Sequence, residues 1–525
     1  MKRRQFIQAA GTVAAVPIIL NGINVRAKAS PVFDDLAKIA ADNDRILVVI
    51  QLQGGNDGLN TVLPLDQYSN LAKARQNILV DEKKALKLTD STALHPSMTG
   101  MASLFKEGKL GVVQSAGYPN QNFSHFRSTD IWTSASDADK VISSGWLGRY
   151  LDTQFPGFPD NYPNTTQPDP PSITIGSVVS STCQGDVYTL GMAIADINEF
   201  YTVRNDGEDD LPYNTYGEEV SFVRSMVATT KVYNTTIETA AKAGKNLSTK
   251  YPTTNANTRS TNNLADQLKI VAKLISGGLK TRIYVVGLGG FDTHAEQIET
   301  QGTTSGTHET LLKTLSDSIA AFQDDLKLLG LEDRVMGMTF SEFGRRIGSN
   351  SSLGTDHGSA APLFVFGTNS NPMVHGVSPV IPSAVTVEDN VAMQFDFRSI
   401  YTSFLKDWFG IEDAAIKNIM IKDFQLVPII KKSSNSVAQQ ELMDIAFYPN
   451  PVSEIGFLTY KSTGGETRIS VVDLNGNQKL LVMDSNLQNG DYRLPIQVQN
   501  LSSGTYFLKI ECKGSTTMKN FQVLR

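Results

Sequence analysis

The sequence predicts an α/β unit with a mostly parallel sheet flanked by helices, followed by a small all-β sandwich. Three observations predict it. Buried-type apolar runs alternate with helical patterns between about residues 45 and 428. Polar, glycine-rich loops recur beside those runs. After a polar linker the texture changes to short alternating runs separated by turn signals. At 525 residues the chain is long for one unit, and its 40% hydrophobic and 19% charged residues exclude wholesale disorder.

The chain opens on Lys2, Arg3 and Arg4, an apolar stretch from Ala9 to Leu20, and Ala27-Lys28-Ala29. That is the layout of an export signal over residues 1–29. Its apolar stretch is about a dozen residues, short of the ~20 needed to span a bilayer. No later segment reaches that length, so no transmembrane segment is expected in the mature chain. Arg3-Arg4 followed by Phe6 resembles a twin-arginine signal, which exports folded cargo; a general secretory signal is the alternative. The net charge is −6, and without the five basic residues of the leader it becomes −11. A chain this acidic lacks the electrostatic footprint of a nucleic-acid binder. Only Cys183 and Cys512 are present, so any metal would be held by Asp, Glu and His.

Five strand runs are expected in the main unit, residues 30–430: Arg45–Leu52, Leu110–Gln114, Arg282–Leu288, Arg334–Phe340 and Pro362–Phe366. Between the third and fourth, Leu311, Leu315, Ile319, Phe322 and Leu326 recur at three- and four-residue steps, with Gly330 as C-cap, which predicts an amphipathic helix. Residues 154–262, Pro-rich at first and later Thr/Asn-rich, read as an insertion or cap. Residues 431–444 read as a linker. Beyond it, Phe457–Tyr460, Ile469–Val472, Lys479–Met483 and Thr505–Ile510 are strand candidates, with turns at Asn475-Gly476, Asn489-Gly490 and Ser503-Gly504.

Ligands of open parallel sheets bind beyond the carboxyl ends of the strands. There the chain carries Gly54-Gly55-Asn56-Asp57-Gly58, Phe123-Ser124-His125-Phe126, Gly290-Phe291-Asp292-Thr293-His294 and Ser341-Glu342-Phe343-Gly344-Arg345-Arg346; Gly354-Thr355-Asp356-His357-Gly358 precedes the fifth strand. Each group has a bland role available. Asp57 can organise a turn, Ser124 can cap a helix, and Asp292 and His294 can share a surface hydrogen bond. Glu342 can pair with Arg345 or Arg346, and His357 can bond to its surroundings. What points to a site is economy: four of six histidines (His125, His294, His308 and His357) fall at or near these loops, while His95 and His375 read as structural.

Together these motifs resemble the DUF1501 family of exported bacterial proteins, related to the alkaline phosphatase/sulfatase superfamily. The resemblance implies an alkaline phosphatase-like fold with divalent metal ions at the strand ends. By position it implies Asp57, Asp292, His294 and His357 as metal ligands and Ser124 as nucleophile; on this reading Asp292, His294 and His357 hold one metal and Asp57 with Glu342 the other, Asn56 or His125 orients the substrate, and Arg345 or Arg346 clamps an anionic group. Glu342 and Phe343 stand where the superfamily usually has Asp-His. One fewer imidazole would favour Ca²⁺, Mg²⁺ or Mn²⁺ over Zn²⁺ at a second position. Tyr448-Pro-Asn-Pro-Val, Asp473-Leu-Asn-Gly and Leu501-Ser-Ser-Gly-Thr-Tyr resemble the type A sorting domain of the type IX secretion system, here over residues 445–525. That implies the type IX machinery as a partner, and secretion or surface display by a Gram-negative cell via the periplasm. The expected activity is metal-dependent hydrolysis of phosphate or sulfate esters, with surface polysaccharide as one possible substrate. The alternative is a non-catalytic surface binding or adhesion protein on a degenerate hydrolase scaffold.

Overall fold

A computed structural model describes residues 44–195, 233–252, 264–300, 302–431, 446–449, 452–473, 477–512 and 515–524, with two short strands at 17–20 and 23–26. Most of the expected export signal lies outside the described residues. The chain divides into two compact units, residues 1–432 and 433–525.

Nine strands form the sheet of the larger unit. In chain order they are β1 (Ile46–Gln53), β2 (Leu110–Gly117), β3 (Ser172–Ile175), β4 (Met192–Ile194), β5 (Ile283–Gly289), β6 (Val335–Ser341), β7 (Ala361–Phe366), β8 (Val374–His375) and β9 (Phe395–Asp396). Their spatial order is β8-β2-β7-β6-β1-β5-β3-β4, with β9 also against β2. All pairs are parallel except those made by β7, which runs antiparallel to β6 and β2. This is the mostly parallel α/β sheet that the sequence predicts. Its central strands are covered on both faces, so Ile46–Ile50 and Val335–Ser341 are buried without alternation.

All five expected strands form. The sequence reading missed β3 and β4, which lie inside the segment taken for an insertion; β3 pairs with β5 and extends the main sheet. Runs of three or four residues carry too little periodicity to separate a strand from a loop. The expected helix is Thr307–Leu328, and Gly330 ends it at φ +70°. Leu331 N donates to Leu326 O at 2.8 Å there, the bond of a left-handed helix cap. On the sheet, Trp132 of helix His125–Ser134 stacks on Phe340 of β6 and on Phe397.

The smaller unit is all antiparallel. Its strands are β10 (Ala446–Tyr448), β11 (Ile455–Val472), β12 (Gln478–Gln497), β13 (Gly504–Cys512) and β14 (Ser515–Val523). Leu458, Tyr460, Ile469, Val471, Ile496, Leu508, Ile510 and Phe521 make its core. Two candidate strands merge into β11. Asn489-Gly490 forms no turn but lies within β12, where Gly490 pairs with Ser462. A long hairpin partner keeps that dipeptide extended, a tertiary effect that local turn chemistry does not contain.

Candidate active site

The loops at the carboxyl ends of β1, β5 and β6 are locked together by Arg345. Its guanidinium is fully buried and donates to the carbonyls of Gly55 (2.7 Å), Thr355 (2.6 Å), Phe291 (3.1 Å) and Gly54, and to Asp292 Oδ1 at 2.7 Å. The glycines make this approach possible. A side chain on Gly54 (φ +121°) would strike Asp292 N at 2.3 Å, and one on Gly55 (φ +80°) the Phe343 ring at 2.3 Å. Of the two arginines that the sequence offers as an anion clamp, Arg345 is the one sealed inside the fold. With no exposed surface, it positions the loops and holds one oxygen of Asp292 from the protein side.

Around Asp292 three imidazoles converge. His357 Nε2 and His294 Nε2 each lie 3.2 Å from Oδ1, His125 Nε2 lies 3.4 Å from Oδ2, and the Nε2 atoms of His294 and His357 are 2.8 Å apart. The opposite nitrogen of every ring is spoken for. His357 Nδ1 donates to the Phe123 carbonyl at 2.8 Å, His294 Nδ1 to Asp356 Oδ1 at 3.0 Å, and His125 Nδ1 to Glu342 Oε1 at 2.8 Å. These partners accept hydrogen bonds, so Nδ1 of each ring carries a proton and Nε2 is the atom turned toward Asp292. Burial lowers the pKa of His357 against the opposing pull of the Phe123 carbonyl, which favours its neutral form. Asp292 is ionised. Burial raises its pKa, but the bond and charge of Arg345, then His357 and His125, bring it below the usual carboxylate value.

His125, Asp292 and His357 offer ligand atoms that all lie within 4.8 Å of one another, a grouping that a divalent cation can bridge, and His294 Nε2 lies against His357 and Asp292 Oδ1 at its edge. Carboxylate or carbonyl partners on the far ring nitrogens are the usual supports of metal-binding histidines. Glu342 is itself buried, with Oε1 accepting from Gly54 N at 2.8 Å and from His125, while Oε2 has no hydrogen-bond partner among the described residues. The sequence reading placed His125 with the substrate and Glu342 among the ligands; the geometry puts His125 in the cluster and Glu342 behind it.

Asp57 is not part of this cluster. Both of its oxygens accept from Arg75 Nη1 (2.8 and 2.9 Å), Oδ2 also accepts from Gln297 Nε2 at 2.7 Å, and both members of the ion pair are fully buried. Burial raises its pKa, but Arg75, His308 and Gln297 together hold it below the ordinary value. His308 bonds to Asn56 Oδ1 at 3.0 Å, and burial pushes its pKa down to about 4. Arg75 and Gln297 escaped the sequence reading. Arg75 ends a short polar helix, Tyr68–Arg75, and carries no motif.

Ser124 caps helix His125–Ser134 by backbone alone; its hydroxyl makes no capping bond, and the residue is exposed. Its chain neighbours on both sides enter the cluster: the Phe123 carbonyl receives His357, and the next residue is His125. Phe123 is partly exposed and Phe126 is 91% exposed.

A family model, DUF1501 (protein of unknown function), matches residues 44–420, and the chain belongs to this family. A second, the secretion system C-terminal sorting domain, matches residues 446–524 and marks a secreted or cell-surface protein. No curated protein matches the sequence. Among solved structures the chain resembles a protein in the alkaline phosphatase superfamily from Vibrio parahaemolyticus, at 8% identity and TM-score 0.34, covering 94% of this chain and 88% of that one. It also resembles the PsFucS1 sulfatase from Pseudoalteromonas sp., at 10% identity and TM-score 0.30, covering 90% and 89%. PorZ, a surface component of the type-IX secretion system of Porphyromonas gingivalis, aligns at 15% identity and TM-score 0.12 over 18% of this chain and only 13% of its own. Among the described residues no helix is long and apolar enough to cross a membrane.

Proposed function

We propose that the protein is an exported, metal-dependent hydrolase of phosphate or sulfate esters that uses Ser124 as nucleophile. The observation that carries the reading is the bracketing of an uncapped, exposed serine between Phe123 and His125, both tied to one cluster of three imidazoles and a carboxylate. His125, Asp292, His294 and His357 would hold the cation, with Glu342, Asp356 and the Phe123 carbonyl fixing the rings. Three nitrogens and one carboxylate are a donor set for Zn²⁺ or a similar transition metal more than for Ca²⁺ or Mg²⁺. A divalent cation held there supplies Lewis-acid activation of oxygen atoms near it. Ser124 Oγ would give up its proton to water and attack the phosphorus or sulfur, breaking the bond to the ester oxygen, which leaves as the protonated alcohol; a water molecule then attacks the serine ester, releasing phosphate or sulfate and restoring the hydroxyl. The open N–H groups of the helix's first turn favour anionic oxygens beside that hydroxyl. Arg346 stands near, its guanidinium carbon 5.5 Å from the Phe123 ring centre, where it can meet an anionic substrate such as a surface polysaccharide ester.

Export would begin at a twin-arginine-like leader over residues 1–29. It would end through the type IX machinery, which reads residues 445–525 and delivers the 30–430 unit beyond the periplasm of a Gram-negative cell.

Purified mature protein assayed on aryl phosphates and aryl sulfates tests the activity. Turnover that a chelator removes and Ser124→Ala abolishes is expected; turnover that survives Ser124→Ala would end the proposal for that residue. The competing reading, a surface binding protein, draws on the neutralisation of Asp57 by Arg75, which leaves the scaffold without a second open carboxylate. Retained metal with no turnover on either ester would favour it.

A further inference from the structure

We infer that the Arg75 guanidinium permanently occupies the Asp57 carboxylate, so that the protein binds one divalent cation per chain, at His125, Asp292, His294 and His357, and none at Asp57. The inference rests on the metal-binding part of the proposed function and settles its count.

Three features close the Asp57 position. First, both oxygens are engaged and out of solvent: Arg75 Nη1 reaches each of them, Gln297 Nε2 reaches one, and neither the Asp57 nor the Arg75 side chain has exposed surface. Second, neither cationic nor amide partner is free to leave. Arg75 also donates to the carbonyls of Ile347 (2.8 Å) and Arg346 (2.6 Å), and Gln297 Oε1 receives the hydroxyls of Thr293 (3.1 Å) and Thr355 (3.0 Å). A metal that displaced Arg75 would leave a buried guanidinium with no counter-charge, which is strongly unfavourable. Third, the neighbouring His308 already bonds to Asn56.

Formal charge agrees. Asp57, Asp292, Glu342 and Asp356 bring four negative charges, while Arg75 and Arg345 bring two positive ones. Counting these carboxylates and guanidinium groups alone, the balance is −2, which one divalent cation would offset. At the cluster, Arg345 reaches Asp292 from the buried side while three imidazole nitrogens face it from the other. At Asp57 both oxygens already accept from a buried guanidinium. The same residue type is thus open in one place and sealed in the other.

Metal analysis of the full mature chain, stripped with chelator, reloaded with excess Zn²⁺ and dialysed, decides the matter without any activity measurement. One equivalent of Zn²⁺ is expected in the wild type. Two tightly held equivalents would overturn the inference while leaving the proposed function standing; no bound metal would overturn both. Two variants locate the ion. His357→Ala is expected to weaken Zn²⁺ binding by 100-fold or more, and Asp57→Asn to keep one equivalent with Kd within about threefold. Loss of Zn²⁺ from a folded Asp57→Asn protein, by circular dichroism, would overturn the inference. Should that variant fail to fold, the wild-type stoichiometry still decides.

Discussion

Asp57 and Asp292 are the same residue type, each in a glycine-flanked loop beyond a strand of one sheet, yet the protein treats them in opposite ways. Asp57 is fully buried and matched by Arg75, Gln297 and the neighbouring His308. Asp292 keeps about half of its side chain exposed and, beyond its bond to Arg345, faces three imidazole nitrogens. The first arrangement is sealed inside the fold; the second is open to solvent on one side. A motif supplies the acid, but the partners, contributed by remote residues, decide whether it is structure or site.

The comparison breaks most readily at Ser124, which belongs to the open site alone. Ser124→Ala should lower turnover by about 10⁴-fold, close to 5.5 kcal/mol of barrier, while metal content and melting behaviour stay unchanged. Metal analysis and urea melts beside the ester assay check this. Arg75→Met should do the reverse. It leaves a buried carboxylate without its partner and should cost roughly 3–5 kcal/mol of stability, read as a lower urea midpoint at unchanged slope.

Much of this was legible in the sequence. The five long strands announced themselves as apolar runs, and the loops beside them held Asp292, His294 and His357 in motifs with few other uses for so many polar groups. The contact of His125 Nδ1 with Glu342 was not legible, because it depends on how β6 and the Ser124 helix meet. Arg75 was invisible. Nothing in Lys73-Ala74-Arg75 separates a surface cation from one buried against Asp57 across the fold. The short strands β3 and β4 were lost for a different reason, being too brief to show a period.

The sealed region also carries a pH signature. His308 is buried with a pKa of about 4, and His95 nearby with one of about 3, against 6.5 for an exposed ring. Between 6.5 and these values the unfolded chain binds protons that the native state refuses, so stability falls as pH drops through that window. The slope should approach about 1.4 kcal/mol per pH unit for each histidine. Urea melts at pH 7.0, 5.5 and 4.5 check it, and His308→Gln should flatten the slope. In the open region, Glu342→Gln keeps an acceptor but loses the charge that orients His125. Zn²⁺ affinity should fall 10- to 100-fold by competition with a chromophoric chelator.

The smallest effect sharpens what the open site is open to. Phe126 is the second residue of the helix that Ser124 caps, and its ring lies almost wholly in solvent, with Phe123 on the other side of the serine. A phenyl ring left in water gains nothing for the fold, so replacing it should leave the urea midpoint within about 0.5 kcal/mol. Next to the proposed nucleophile, its flat apolar face suits an aryl group or the underside of a sugar ring. Phe126→Ala should therefore raise KM by about three- to fivefold, on the order of 1 kcal/mol, for aryl or glycosyl esters, with kcat little changed. A small alkyl ester cannot cover the ring and should show no difference. An equal rise for both ester classes would mean that Phe126 shapes the helix start and does not contact substrate. The contrast between a sealed acid and an open one would then rest on the metal cluster and Ser124.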